Sequence, residues 1–299
     1  MNYYFIYNRL FLGFVAFIAF FSIKTGNAQF ENTDLGARAV GLNGAFTSLS
    51  DNSLAIFYNP AGLGQLKYRD LSVFYNPAPF GLTELSTAAF TFAEPLKYGT
   101  VGAGLRTYGF DLYKETSILL SYGNSFKKRL YYGVNFNFYH LNIQNYGSAS
   151  AIGFDIGAMA YINKFLRWGF FGKNITGSTI GTSKEKIAQI YRTGLNYKPL
   201  NEVNLMLEIE KDVKYPVSVR AGFEYSLFDY VDLRAGIGSE PTSFTGGIGF
   251  NYNIFQLDYA MYKSQDLGIT HQGSLTVNFG GSKARTETKE QLRKAFEDK

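Results

Sequence analysis

The chain has 299 residues, of which 17% are aromatic, and it contains 32 Gly, 23 Tyr and 28 Phe. Hydrophobic residues make up 46% of it, yet the mean hydropathy is −0.10. This is too polar for a helical membrane protein and typical of strands with one apolar and one polar face. The net charge of +5 comes partly from the two ends, whereas nucleic-acid binding needs a concentrated basic face. The absence of cysteine excludes disulfides and thiolate chemistry.

Residues 1–28 have the features of a signal peptide. A positively charged residue precedes the apolar run Leu10–Ile23, and the small residues Gly26 and Ala28 occupy positions −3 and −1 of a cleavage site before Gln29. The alternative is a membrane anchor, but a spanning helix needs about 20 apolar residues and this run is shorter. We therefore expect the leader to be removed.

Between residues 67 and 279, apolar and polar residues alternate with a period of two. In the last segment, for example, Leu275 and Val277 share one face while Thr276 and Asn278 share the other. This alternation predicts strands that have one wet face and one apolar face. Fourteen strands are predicted, at residues 67–75, 82–92, 98–110, 114–124, 130–141, 150–162, 166–175, 189–197, 203–211, 217–225, 231–238, 243–252, 254–262 and 268–279.

The connections between these strands are alternately short and longer, as in bacterial barrels with short periplasmic turns and longer outer loops. The strands of a soluble β-sandwich also alternate between apolar and polar residues, but the face that points outward must be polar. We therefore predict an all-β fold, an antiparallel 14-stranded transmembrane β-barrel over residues 67–279. The leader and the even strand count predict the cell outer membrane, with both termini in the periplasm.

Residues 29–66 precede the first predicted strand and do not alternate. Gly36, Gly41 and Gly44 are spaced for close backbone approach. The sequence Asn59–Gly62 ends the apolar run Leu54–Tyr58, because a proline disfavours helix at the residue before it and glycine permits a left-handed turn. A compact plug, or hatch, inside the barrel lumen is predicted. The alternative is a disordered arm, which the apolar run disfavours.

The stretch 36–64 resembles the N-terminal hatch of the FadL-like outer-membrane family, and within it the PorV/PorQ type. The residues that carry the resemblance are Gly36, Ala37, Arg38, Ala39, Gly41, Gly44, Ala45, Phe46, Asp51, Tyr58, Asn59, Pro60, Ala61, Gly62 and Leu63. The resemblance implies fourteen strands, in agreement with the alternation. The chain is shorter than typical long-chain fatty-acid transporters, and the PorV/PorQ type fits its length better.

Two glycines, Gly102 and Gly104, interrupt the third predicted strand. Glycine within a strand can mark a kink or a bulge. In FadL-like proteins a kinked third strand opens laterally to the membrane, so the resemblance implies a lateral opening at these residues.

The candidate residues for chemistry are few. The only histidines are His140 and His271, and no cluster has metal-ligand spacing. We therefore expect no enzyme activity, no catalytic residue, no metal and no cofactor. Alternation places nine residues of mixed charge toward the interior, which predicts ion pairs with Asp34, Arg38 and Asp51 instead of an ion-selective filter. These nine are Arg106, Glu115, Asp155, Glu208, Arg220, Glu224, Asp232, Arg234 and Asp258.

Residues 280–299 are charged and favour helix. The expected structure is a solvated periplasmic tail. The alternative is a partner-binding helix with Leu292 and Phe296 spaced i, i+4 on one face.

Two functions remain open on the sequence. The preferred one is a docking or assembly component associated with type IX protein secretion, implied by the PorV/PorQ resemblance, with secretion-machinery or exported proteins as partners. The alternative is a transporter of hydrophobic, fatty-acid-like small molecules across the outer membrane. Outer-membrane lipid is a partner in both cases, and nucleic acid in neither. Co-purified protein favours the first function, and co-purified lipid or fatty acid favours the second.

Overall fold

The structure is a computed structural model that describes residues 28–30 and 34–297. The signal-peptide prediction concerns residues 1–28, of which 1–27 lie outside the described residues.

Fourteen antiparallel strands form a closed barrel, so the predicted fold class and strand number are confirmed. Each strand pairs with the next along the chain, and the last pairs with the first, with Asn278 opposite Asp70. Closure leaves no unpaired strand edge. In chain order the strands are β1 Asp70–Asn76, β2 Thr87–Leu96, β3 Gly99–Phe110, β4 Tyr113–Phe126, β5 Leu130–Ile143, β6 Gly147–Asn163, β7 Leu166–Lys173, β8 Ile190–Tyr197, β9 Val203–Asp212, β10 Val217–Phe228, β11 Val231–Ser239, β12 Thr242–Tyr252, β13 Phe255–Ser264 and β14 Gly268–Asn278.

The period-two pattern determines which side chains face the interior. In β5 the exposed residues Val134 and Phe136 alternate with the buried residues Asn135 and Asn137. Successive side chains of a strand point to opposite faces, so the outer surface is apolar and the inner surface polar. All nine charged residues predicted to face inward are buried, which confirms that prediction.

The second strand is the one whose predicted position is wrong. Residues 82–92 were expected to form it, but β2 begins at Thr87, because Pro79–Gly81 and Thr83–Leu85 form short 3-10 turns. The strand also continues past the predicted end to include Pro95, which lies opposite Thr100 close to the strand end. Every other predicted boundary lies within three residues of the observed one.

The N-terminal segment, residues 34–66, lies inside the barrel. It contains two short helices, α1 (Ala37–Val40) and α2 (Ala55–Tyr58), followed by the 3-10 helix Pro60–Gln65. The backbone N–H of Thr47 donates to Glu208 of β9 at 2.9 Å, and the side chain of Asn135 in β5 donates to the carbonyl of Ile56 at 2.9 Å. Because these strands lie on different sides of the barrel, the segment occupies its interior.

The two ends of the described chain lie at opposite ends of the barrel. Ala28–Gln29 pairs in parallel with Glu185–Ile187, which lies in the long connection between β7 and β8. This is the end of the barrel with the longer connections, here called the long-loop end. The prediction of both termini at one end therefore fails for residues 28–30. An even strand count determines only that the first strand begins and the last strand ends at the same end of the barrel. The N-terminal segment, however, runs through the interior before it reaches Asp70.

The C-terminal helix α3 (Gly281–Glu297) crosses the other, short-turn end. The side chains of Arg285, Gln291 and Arg293 donate to the carbonyls of Asn253, Gln65 and Pro199 at 2.7, 3.1 and 3.3 Å. The expectation of a solvated tail is therefore wrong for these residues, because α3 packs on the barrel turns and on the end of the N-terminal segment. In residues 28–30 and 34–297, no helix has both the length and the apolar character needed to cross a membrane.

Candidate channel interior

Arg38 of α1 fastens the N-terminal segment to the barrel. Its Nη1 lies 2.6 Å from Asp51 Oδ1, and its Nε lies 2.8 Å from Glu224 Oε2 on β10. Glu224 also pairs with Arg234 at 2.8 Å, and Arg234 pairs with Asp258 at 2.7 Å. The predicted pairing of Arg38 with interior carboxylates is confirmed. Charge-assisted hydrogen bonds of this kind are shorter and stronger than neutral ones.

A second cluster surrounds Asp34, at the start of the segment. Arg220 Nη1 lies 3.0 Å from Asp34 Oδ2, and Arg220 Nη2 lies 2.7 Å from Glu210 Oε1. Arg192 also pairs with Glu210 and lies 3.8 Å from Asp34. Through these ion pairs, the two clusters attach α1 and the residues just before it to strands β8–β13.

The Asn59 side chain fixes the position of the Asn59–Gly62 element. This element contacts the side of the barrel opposite to the two ion-pair clusters. The Asn59 side chain accepts from the Ala61 N–H at 3.2 Å and donates to the carbonyls of Thr47 and Ala158 at 2.9 and 3.1 Å. Pro60 begins the 3-10 helix that follows, where its missing N–H is not needed. One amide side chain thus joins two parts of the segment to β6.

Glycines on the barrel strands make this close approach feasible. A Cβ atom at Gly157 would lie 2.2 Å from Asn59 Oδ1, and one at Gly133 would lie 2.3 Å from the carbonyl carbon of Pro60. Non-bonded heavy atoms pack at about 3.5 to 4.0 Å, so no side chain fits at either position. The role of these glycines is not visible in the sequence, because their partners are about 70 to 100 residues away in the chain.

Gly102 and Gly104 have the same role and do not form a kink. β3 pairs with β2 and with β4 without a register shift at these residues. A Cβ at Gly102 would lie 2.9 Å from Ile56 Cδ1, and one at Gly104 would lie 3.0 Å from Ile56 Cγ2. The glycines therefore make room for α2 in this conformation. A lateral opening at β3 stays a prediction.

A small buried cavity of about 30 Å³ lies between the segment and β3–β7; we call it the Arg106 cavity. Arg106 is 4% exposed, and its Nε and Nη2 atoms have no hydrogen-bond partner among the residues that the structure describes. Unsatisfied buried polar groups are uncommon and costly, so a partner for these N–H groups is expected. The apolar lining comes from Leu35, Ile56, Phe57, Leu119 and Phe171, and the polar lining from Arg106, Ser117, Tyr139, Asp155 and Lys173.

A larger cavity, the vestibule, opens at the long-loop end with a volume of about 640 Å³. Tyr262 and Phe80 meet edge to face with ring centroids 6.2 Å apart, and the Phe80 N–H donates to Thr270 at 2.9 Å. Five aromatic residues line it, together with aliphatic and polar ones. The lining residues are Phe30, Asp34, Val40, Asn76, Pro79, Phe80, Leu85, Tyr108, Tyr113, Glu115, Pro241, Tyr262, Leu267, Thr270 and Gln272.

Phe30 lies where the vestibule meets the Arg106 cavity. Its N–H donates to Glu115 Oε1 at 3.0 Å, and its carbonyl accepts from Lys173 Nζ at 2.9 Å. Glu115 lines the vestibule and Lys173 lines the Arg106 cavity. Phe30 therefore separates the two spaces in this conformation, an arrangement that was not predicted from the sequence.

A polar chamber of about 80 Å³ lies at the short-turn end, between the N-terminal segment and α3. Arg38 and Asp51 line it from the N-terminal segment, Thr276 lines it from β14, and Arg285 lines it from α3. The helix is also held by Glu287, to which Lys67 donates at 3.1 Å, and this hydrogen bond lowers the pKa of the carboxyl. The helix thus closes the chamber at the short-turn end.

The histidines lie away from these cavities. His140 contacts Ser150, and His271 contacts Tyr259; both histidine contacts are exposed. Within the described residues, no group of three or more His, Asp or Glu side chains is arranged to hold a metal ion.

No protein-family model matches the chain, and no curated protein matches it. Solved structures do match. The CymD monoaromatic hydrocarbon channel has a TM-score of 0.62 at 11% identity, covering 84% of this chain and 99% of that one. The Ralstonia pickettii toluene transporter TbuX has a TM-score of 0.59 at 12% identity, covering 83% and 98%. A Pseudomonas aeruginosa FadL homologue has a TM-score of 0.61 at 10% identity, covering 82% and 99%. The chain therefore has the barrel fold of FadL-type hydrocarbon channels.

Proposed function

We propose that this chain is an outer-membrane channel that carries hydrophobic small molecules. The observation that supports this most directly is the aromatic vestibule, which one ion pair and Phe30 separate from the buried Arg106 cavity. Ligand sites are concave and mostly apolar, with a few convergent polar groups. The solved structures with the same fold include channels and transporters of hydrocarbons and toluene.

The ligand enters from the long-loop end and first contacts the aromatic side chains Phe80, Tyr108 and Tyr262. Displacement of Phe30 then opens the way to the Arg106 cavity. There the Arg106 N–H groups that have no partner among the described residues bind a hydrogen-bond acceptor, while Ile56 and Phe57 contact the apolar part. A fatty-acid-like molecule, apolar with one acceptor end, fits this combination.

The N-terminal segment acts as the hatch that keeps the barrel closed between transport events. The ion pairs of Arg38 and the close packing of Asn59–Gly62 hold it in place. The short-turn end, with α3, faces the periplasm, and the long-loop end faces outward, as short periplasmic turns are usual in bacterial barrels. Residues 28–30 then lie toward the outside.

The secretion-docking function was preferred on the sequence, but the structural neighbours favour the transporter. Those compared above are named as channels, transporters or a FadL homologue. The likeness of residues 36–64 to the PorV/PorQ hatch remains the support for docking, which stays a prediction.

Uptake by intact cells tests the proposal. Cells that lack their own hydrocarbon channels would express the chain and be given a radiolabelled monoaromatic hydrocarbon or a medium-chain fatty acid. We expect faster uptake than in cells with an empty vector. Gln272→Trp fills the vestibule and should abolish the gain, whereas His271→Trp, on the outer face of the same strand, should not. Uptake equal to the empty vector, or unaffected by Gln272→Trp, would contradict the function.

A further inference from the structure

The turns at the short-turn end carry an uneven distribution of charge. Lys97 lies in the turn between β2 and β3, Lys127 and Lys128 lie between β4 and β5, and Lys164 lies between β6 and β7. All four lysines are exposed. We call these four residues the basic arc. Neighbouring strands lie about 4.8 Å apart, so successive turns at this end are roughly 10 Å apart and the four ammonium groups form one continuous edge.

The acidic residues of the strand-connecting turns at this end lie outside the basic arc. The turns of the basic arc contain no carboxylate, and the nearby Glu94 is paired with Arg69. The turn after β8 contains Glu202, and the turn after β10 contains Asp229. These four turn lysines therefore lie together on one side of the barrel.

Each turn of the basic arc also places an aromatic ring beside a lysine. Lys97 Nζ lies 5.4 Å from the Tyr98 ring centroid, Lys127 Nζ 5.4 Å from Phe126, and Lys164 Nζ 5.0 Å from Phe165. Tyr98 is 75% exposed and Phe126 is 59% exposed. Exposed aromatic rings next to cationic side chains are typical of the level where hydrocarbon meets lipid head groups.

The backbone of one turn is strained in a way that presents two of these charges. Lys127 and Lys128 both have positive φ, at 52° and 53°. The turn consists of Lys127, Lys128 and Arg129, since Phe126 pairs with Leu130, and residues other than Gly, Asn and Asp pay a steric cost at positive φ. Local strain of this kind concentrates at functional sites. The two adjacent lysines thus occupy a turn that local backbone preference alone would not assign to them.

We propose that the basic arc binds the phosphate head groups of anionic phospholipids in the leaflet around the short-turn end. The ammonium groups pair with phosphate, and Leu96, Tyr98, Phe126 and Leu130 contact the adjoining acyl region. This inference rests on the barrel spanning a bilayer, as in the proposed function, but not on what passes through it.

Lipid titration in detergent solution, followed by native mass spectrometry, tests the proposal on the full chain. Phosphatidylglycerol and phosphatidylcholine with the same acyl chains are compared at low and high salt. We expect phosphatidylglycerol to be retained preferentially, and less so at high salt. Each lysine near a membrane surface contributes about fivefold in affinity. The variant with Lys97, Lys127, Lys128 and Lys164 all changed to Gln should therefore lose most of the preference.

Two matched variants and one competitor complete the test. The same four positions changed to Arg should keep the preference for phosphatidylglycerol. Replacing Lys114, Lys184, Lys186 and Lys263 by Gln, at the long-loop end, should also keep it. Inorganic phosphate at millimolar concentration should not displace the lipid. Equal retention of both lipids by the wild type, equal loss in the long-loop control, or full displacement by inorganic phosphate would overturn the proposal. None of these results depends on hydrocarbon uptake.

Discussion

Arg106 and Glu115, on neighbouring strands β3 and β4, form an ion pair between the Arg106 cavity and the vestibule. Nη2 of Arg106 lies 3.7 Å from Oε2 of Glu115, and each side chain is 5% exposed. Arg106 lines the buried cavity, whereas Glu115 lines the vestibule. The pair is too long for a hydrogen bond, so Glu115 balances the charge of the guanidinium without satisfying its Nη2 group.

Removing one member of this pair should destabilise the barrel more than removing both. Glu115→Gln leaves the Arg106 guanidinium buried without a counter-charge, and breaking a buried pair in this way costs about 3 to 5 kcal/mol. Arg106→Met combined with Glu115→Leu removes both charges and should cost less. The free energy of unfolding in urea, measured in detergent micelles, would show the order. If the double variant is less stable than Glu115→Gln, the pairing described here is incorrect.

A side chain at Gly133 should loosen the N-terminal segment. The new methyl group of Gly133→Ala would meet the Pro60 backbone at 2.3 Å, and overpacking of this kind costs about 1 to 3 kcal/mol. Gly273→Ala is the matched control, because its Cβ would find Asp258 O at 3.8 Å as its nearest neighbour. Thermal unfolding followed by circular dichroism should show a lower midpoint for Gly133→Ala only. Equal midpoints would argue against close packing at Pro60.

Truncation after Gly280 should expose the polar chamber without changing the vestibule. The chain contains no cysteine, so single introduced thiols report on one place at a time. Thr276→Cys and Thr270→Cys lie on the same strand and both are buried, but the first lines the polar chamber and the second lines the vestibule. A membrane-impermeant maleimide should label Cys at 276 several-fold faster once α3 is removed. Labelling at 270 should stay the same. An unchanged rate at 276 would show that α3 does not cover the chamber.

The strands could be predicted from the sequence because alternation depends on neighbours two residues apart. β9, for instance, alternates over its whole length, and its predicted and observed limits differ by one residue. β2 was misplaced because Leu82–Ser86 alternates poorly and Pro95 lacks the N–H that a strand ladder uses. Pro95 is tolerated because it lies near the end of the strand. The alternation of apolar and polar residues does not show where the strand ends.

The inward charges were predictable for the same reason, but the cavities were not. Phe80 and Thr270 meet across 190 residues of chain, and only closure of the barrel brings them together. Gly133 is visible in the sequence as a glycine in a strand, yet its partner Pro60 is identified only by the three-dimensional packing. The position of α3 depends on single hydrogen bonds to turn carbonyls, such as Arg285 to Asn253, which no periodicity encodes.

Single-channel recording in planar lipid bilayers tests the central claim most directly, namely that the N-terminal segment closes a barrel that otherwise forms a passage through lipid. The wild type should be nearly silent, because residues 34–66 fill the interior. Deletion of residues 30–64 should produce a steady conductance. Large currents through the wild type, or a deletion variant that inserts into the bilayer and stays silent, would contradict the account.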